Sequence, residues 1–435
     1  MTAHNANDLL LQAPRPRTVP ETGLSETLLA DLICKHLSEA GVLDLGVLAQ
    51  RLALAASIVE ELLAFLRAEG RVEVLGAQGA SPFLRFGLTE RGRIAAANAL
   101  SRDGYVGAAP VTLADYWRVV RAQSARLYPL TREQVHEAFA DTVIRPDLLD
   151  RLGPAVNSGR PLFVYGVPGT GKSFISRRLS RLLGPPILVP HAILFGDAVV
   201  RCFDPGVHRG AEAASASQSV LMDEGFDPRY LLCERPVIVT GGELTLDMLE
   251  LTFDPATRLY QPPLQLRANN GLLVIDDLGR QRLEPAALFN RWIIPLEEGQ
   301  DHLSLKTGQH VIAPFDLVLV FSTNFNPLKL ADEAFLRRIG YKVRFSACLP
   351  EEYAAIFRQE CERQGAVYDP VWVSYLVDGL HAKTGTPLLA CHPRDLLGLA
   401  MDYARYTGTA VDEAALQWAW DSYFVTVSDQ AAASM

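Results

Sequence analysis

Eight consecutive residues, Gly166-Val167-Pro168-Gly169-Thr170-Gly171-Lys172-Ser173, constrain this chain more than any other stretch. They satisfy G-x-x-x-x-G-K-[ST] in full. The apolar run Pro161 to Tyr165 before them reads as a strand, and Phe174 to Leu183 after them continues at helical spacing. Strand, glycine loop, helix is the setting in which this pattern has a mechanism. Glycines let successive backbone N–H groups close around a phosphate, and the helix N-terminus adds its positive end. Lys172 is suited to neutralising β- and γ-phosphate oxygens, and the Ser173 hydroxyl to ligating Mg²⁺. With Phe174 at its edge, this segment is the expected cradle for ATP.

From Gly159 onward, short apolar strands alternate with helices, the pattern of a parallel sheet with crossovers. Ligands of such sheets lie beyond the carboxyl ends of the strands. Leu272 to Ile275 is a buried strand ending in Asp276 and Asp277. Asp276 is then expected to face Mg²⁺, and Asp277 to orient or deprotonate an attacking water. Another apolar strand, Asp316 to Ser322, ends at Thr323-Asn324. Asn324 is either a sensor amide for a γ-phosphate or that water, or an ordinary turn residue before Pro327. The helix Asp332 to Ile339 carries Arg337 and Arg338 near its end. One of them is a candidate to stabilise charge on a neighbouring subunit's nucleotide, although cations at a helix end also suit the dipole. His392-Pro393-Arg394-Asp395-Leu396 opens a late helix. Arg394 either bridges that helix to the phosphates or pairs locally with Asp395.

Taken in order, these motifs resemble the AAA+ superfamily, over about residues 150–424. The resemblance implies a P-loop NTPase parallel sheet of the α/β class with a C-terminal helical lid. It implies Lys172 and Ser173 on phosphate and metal, Asp276 on metal, Asn324 as a sensor, Arg337 or Arg338 as a finger acting in trans, and Arg394 as a second sensor. Arg280 and Arg282 are further candidates for contacts between subunits. Leu266-Arg267-Ala268-Asn269-Asn270-Gly271 is similar to the MoxR and magnesium-chelatase branch, which often carries an insert in its second helix. Leu244 to Gln265 is the expected insert, and Tyr260 a candidate to line a pore. Asp277 departs from the family, in which Glu is common at this position. The Asp-Asp-Leu-Gly spelling also resembles helicase-loader and transposition ATPases, whose partner is DNA.

The N-terminal third reads differently. Three helices are expected at Leu28–Leu37, Leu45–Leu52 and Ala56–Glu69, then strands at Arg71–Leu75 and Phe83–Leu88 around a turn at Gly76–Pro82, then a helix from Glu90 capped by Thr89. This order resembles a winged-helix module, a small α+β domain. Its third helix carries Glu60, Glu61 and Glu69 against Arg67. Over residues 24–97 Asp and Glu outnumber Lys and Arg nine to seven. Protein docking is therefore favoured over DNA reading, for which the wing residues Arg71, Arg85, Arg91 and Arg93 remain available. The expected organisation is a leader (1–23), a winged-helix-like domain (24–110), a helical linker (111–152), the ATPase core (153–348) and a lid (349–428).

Composition supports a soluble chain. Hydrophobic residues are 49% and charged residues 21% of 435, with a net charge of −9. A negative field argues against coating nucleic acid or anionic membrane. No apolar run is long enough to insert into a membrane, and no secretory signal is visible. The six cysteines are scattered without metal-ligand spacing, as expected of reduced thiols in the cytoplasm. The resulting expectation is an ATP- and Mg²⁺-dependent ATPase that forms a homo-oligomeric ring, a hexamer, and acts on a protein client. The alternatives are a DNA-associated loader or regulator anchored by the winged helix, and a nucleotide-dependent structural switch with little turnover.

Overall fold

The computed structural model describes residues 12–76, 84–211 and 225–424. Expectations for the start of the leader, for the turn before Phe83 and for Phe83 itself, for the small polar loop Ser215–Ser219 and for the end of the lid at 425–428 lie outside the described residues.

The N-terminal unit begins with α1 (Glu26–Ala40), where Ser25 Oγ accepts the Leu28 N–H and Gly41 ends the helix at φ 80°. β1 (Val42–Asp44) follows, then α2 (Leu45–Leu52), capped by Asp44, and α3 (Ala56–Ala68). β2 (Val72–Leu75) and β3 (Arg85–Leu88) lead to α4 (Glu90–Arg102), whose cap is Thr89. The strands form an antiparallel sheet in the order β1-β3-β2. Leu29, Ile33, Leu48, Leu62 and Leu66 fill its core, which also takes in Ala192 and Val199 from the region beyond.

β4 (Val111–Thr112) and α5 (Leu113–Ala122) come next. α6 (Arg132–Ala138) is opened by a reciprocal capping box between Thr131 and Gln134. α7 (Pro146–Ser158) precedes β5 (Leu162–Gly166) and α8 (Lys172–Arg178). Six strands follow: β6 (Ile187–Pro190), β7 (Ala192–Phe195), β8 (Ala198–Arg201), β9 (Tyr230–Cys233), β10 (Val237–Thr240) and β11 (Thr252–Asp254). Then come β12 (Leu259–Gln261), α9 (Leu264–Arg267), β13 (Leu272–Ile275) and α10 (Pro285–Glu298). β14 (Gln300–Ser304) and β15 (His310–Pro314) make a hairpin before β16 (Val318–Thr323), α11 (Glu333–Arg338) and β17 (Tyr341–Phe345).

The main sheet runs β10-β13-β16-β5-β17, parallel throughout. Both faces are covered, as a parallel sheet requires. Leu162, Val164 and Val274 pack with α7 and α8 on one face, and Phe163, Leu273 and Phe321 pack with α10 and α11 on the other. A second sheet, β11-β12-β8-β7-β4, draws its strands from three distant segments. Within it, the β7–β8 hairpin turns at Gly196-Asp197. The stretch Leu244 to Gln265 contains the β11–β12 hairpin. Tyr260 is a correction: it is buried in this sheet, its hydroxyl accepting the Lys306 N–H at 3.2 Å, and does not face a pore.

The C-terminal helices are α12 (Pro350–Gln364), α13 (Pro370–Ser374, continued through a π turn at Tyr375–His381 to Thr384), α14 (His392–Thr407) and α15 (Glu413–Tyr423). Gly365, Gly385 and Gly408 end three of these segments in the left-handed conformation that glycine supplies without steric cost. All six cysteines are free thiols. Among the described residues, no helix is long and apolar enough to cross a membrane.

One buried ion pair ties the N-terminal unit to the rest. Arg229 and Asp227, 2.8 Å apart, are each 3% exposed, and the Arg229 guanidinium also donates to the carbonyls of Thr22 and Pro110 at 3.0 and 3.1 Å. Removing one partner strands a buried charge, so Arg229→Ala should cost about 3 to 5 kcal/mol in denaturant unfolding. A loss below about 1 kcal/mol, the value of an exposed pair, would contradict this account.

Candidate functional site

The glycine loop leaves β5 at Gly166, where an added Cβ would lie 2.1 Å from the Phe345 carbonyl at the end of β17. Gly169 and Gly171 have φ 80° and 86°, so the loop turns through conformations that side chains resist. Thr170 Oγ1 donates to the Val167 carbonyl at 2.9 Å and tightens the turn. Lys172 begins α8 and is 6% exposed. Its Nζ donates to the carbonyls of Gly166 and Val167 at 3.0 and 2.8 Å. Burial pulls the Lys172 pKa down, and the nearby charges of Asp277 and Asp276 oppose that shift. Val167 and Phe174 are about half exposed on the rim, and the Phe174 ring lies 4.0 Å under the Arg178 guanidinium.

The acidic pair meets this loop from β13. Ser173 Oγ donates to Asp276 Oδ1 at 2.9 Å, joining residues from separate crossovers. Asp277 is exposed and has φ 51°, and its Oδ1 accepts from Asn324 Nδ2 at 2.9 Å. Thr323 Oγ1 donates to the Leu278 carbonyl at 2.6 Å, and the Leu278 N–H donates to the Ser322 carbonyl at 2.8 Å. These contacts clamp the turn after the carboxylates onto the end of β16.

Lys172, Ser173, Asp276, Asp277 and Asn324 therefore converge. Arg394 sits on α14, whose N-terminal approach touches the loop: the Cys391 N–H donates to the Gly169 carbonyl at 3.0 Å. The Arg394 guanidinium itself pairs with Asp395 at 2.8 Å, the local alternative recognised in the sequence. Arg338 is half-buried and bonded to Glu297, whereas Arg337 is exposed with no ion-pair partner among the described residues. Arg280 and Arg282 are exposed just past the acidic turn.

Two residues at this edge escape motif reasoning. Glu243 follows β10, and its Oε1 accepts from the Gly241 N–H at 2.9 Å, the main cause of its lowered pKa, and from Thr240 Oγ1 at 3.0 Å. The only signal is Gly241-Gly242-Glu243 after an apolar strand. Gln281 donates to the Asp276 carbonyl at 2.7 Å and accepts from Gly279, and it carries no sequence signal beyond being polar.

A family model described as a domain of unknown function, DUF8689, matches residues 349–422. A comparison with curated proteins finds no match. Among solved structures, a mutant of Thermotoga maritima RuvB aligns with TM-score 0.37 and 12% identity, over 67% of this chain and 70% of that one. The T. maritima RuvB Holliday junction branch migration motor aligns with TM-score 0.35 and 13% identity, over 70% and 73%. NtrX from Brucella abortus in complex with ADP aligns with TM-score 0.39 and 14% identity, over 80% and 64%.

The close approach of Cys391 to Gly169 can be tested by substitution. A Cβ on Gly169 would meet Cys391 Sγ at 2.6 Å, on a backbone with φ 80°. Gly169→Ala should lower the melting temperature by about 1 to 2 °C, corresponding to a cost of about 1 to 2 kcal/mol. Pairing it with Cys391→Gly should recover part of the loss, and no recovery would show that the strain lies in the backbone alone.

Proposed function

We propose that this chain is an AAA+-type ATPase that binds ATP with Mg²⁺ at the carboxyl edge of its main sheet. Hydrolysis is coupled to movement of the helical lid and acts on a protein partner. The observation that carries this reading is the convergence of five motif residues from three separate segments, with Ser173 on Asp276 and Asn324 on Asp277, both at 2.9 Å.

The residues fit the chemistry. The loop carbonyls that hold Lys172 are weak partners for an ammonium, and phosphate oxygens are stronger ones. Ser173 and Asp276 offer hard oxygen donors of the kind Mg²⁺ takes, which leaves the rest of its sphere to phosphate and water. Mg²⁺ bound there supplies charge neutralisation on the β- and γ-phosphates. Asp277 receives or orients the proton of the attacking water, and Asn324 fixes the carboxylate that does so.

The assembly is a homo-oligomeric ring, a hexamer, in which Arg337 is the preferred trans finger because its side chain is exposed and unpaired among the described residues. The winged-helix-like unit docks a protein rather than DNA. The exposed face of α3 presents Glu60 and Glu61 beside Arg67, which repels a phosphate backbone.

Lys172→Ala should weaken ATP binding about a hundredfold in equilibrium titration, since it removes a desolvated charge-assisted contact. Asp277→Asn should keep ATP bound while turnover falls about a thousandfold. Intact turnover in the latter would assign the base elsewhere. Mixing Arg337→Ala subunits with Lys172→Ala subunits should restore part of the activity that each lacks alone. If that mixture stays inactive while Arg338→Ala with Lys172→Ala recovers, the finger is Arg338.

A further inference from the structure

A cleft of about 1070 Å³ opens between the N-terminal unit and the hairpins of the core, and no residue of the nucleotide site lines it. Its size is at the upper end for small-molecule sites. Leu28 and Leu32 of α1 form one wall, and Phe253 and Leu305 contribute apolar surface from the hairpins opposite.

Four cations line this space, and two of them are already matched. Lys35 is buried and pairs with Asp103 at 2.8 Å, and Arg102 pairs with Asp31. Arg258 and Lys306 have no carboxylate at ion-pair distance among the described residues, and the remaining acid of the lining, Asp197, pairs with neither. Lys306 Nζ lies 5.1 Å over the Phe253 ring, and the Arg258 guanidinium reaches only the Leu100 carbonyl at 3.3 Å.

Arg258 is also held in place from its backbone. The Gly104 N–H donates to its carbonyl at 3.2 Å, and Gly104 packs so closely that a Cβ there would lie 1.9 Å from the Thr257 carbonyl. The residue has φ 54°, where glycine is the favoured occupant. An arginine is thus kept at a glycine-like position, and its side chain faces a cleft rimmed by a second unpaired cation.

We propose that this cleft binds a small organic anion, a carboxylate or phosphate on an apolar body, with Arg258 and Lys306 as its anchors and the α1 and hairpin walls around its apolar part. A ligand there touches the N-terminal unit and the core together and fixes one against the other.

The test uses the full chain carrying Lys172→Ala, so that anion binding at the glycine loop does not contribute, and the fluorescent anion anilinonaphthalene sulfonate as probe. Saturable binding at one site is expected, with the same affinity in the wild-type chain. Arg258→Gly and Lys306→Ala should each weaken it about tenfold, the usual size of one charge-assisted contact. The melting temperature of Arg258→Gly should hold or rise, because glycine accepts that φ freely. Displacement by citrate identifies a carboxylate site, and displacement by inorganic phosphate identifies a phosphate site. The proposal is overturned if no saturable binding occurs, if neither variant weakens it, if neither competitor displaces the probe, or if binding depends on Lys172.

Discussion

Backbone pairing of β13 with β16, and of β16 with β5, sets Ile275 beside Phe321 and Thr323 beside Tyr165. The next residues along each strand are Asp276, Asn324 and Gly166. A parallel ladder has one register once its apolar residues are buried on both faces, because slipping by one residue would exchange the two faces. Phe163, Leu273 and Phe321 on one side and Val164, Val274 and Val320 on the other fix that register here. Residues separated by more than a hundred positions therefore meet at the sheet edge through main-chain bonds before any side chain acts. The side-chain bonds Ser173–Asp276 and Asn324–Asp277 then complete an arrangement the backbone has already brought together.

The same geometry bears on why an aspartate stands at position 277. Asp277 occupies the left-handed region at φ 51°, directly after a strand. Aspartate and asparagine adopt that conformation more readily than other side chains that bear a Cβ. A longer acid at this position would lose this advantage and would reach past the Asn324 amide. The shorter side chain suits the turn that Thr323 and Ser322 clamp against β16. Backbone conformation, as well as reach to a water, thus bears on the choice of acid.

Contiguous features were legible. The glycine loop, the acidic strand end, the helices expected over Leu45–Leu52 and Ala56–Glu69 and the helix capped by Thr89 all declare themselves within a few residues. The second sheet was not legible as a sheet, because its strands are two to four residues long and come from widely separated segments, so no local window holds its pattern. The β14–β15 hairpin was hidden for another reason. Asp301 faces inward at 1% exposure, satisfied by Arg291 at 2.7 Å and Gln265 at 2.7 Å, and a carboxylate at a core position breaks the alternation that marks a strand. Asn269 and Asn270, legible only as a family-like spelling, form a structural hub. Asn269 donates to Tyr116 and Pro314 at 2.9 Å each, and Asn270 donates to Val120 at 2.9 Å and to Asp316 at 3.0 Å. These bonds anchor α5 to the start of the main strands.

The C-terminal helices are joined to the glycine loop by more than proximity. The Cys391 N–H bonds to the Gly169 carbonyl, and the side chains of Leu389, Ala390 and Cys391 crowd the two left-handed glycines. Gly169 lacks the Cβ that would keep Cys391 away, so the residue type that turns the loop also admits the approach to α14. Any swing of α14 must break or stretch the bond at Gly169, and any rearrangement of the loop must push on Cys391. Such reciprocity is what coupling between two sites requires: each end carries a free energy that depends on the state of the other. The joint is a single backbone hydrogen bond with close packing, not a buried charge network. Its net strength is about 1 kcal/mol, so it biases the position of α14 without locking it.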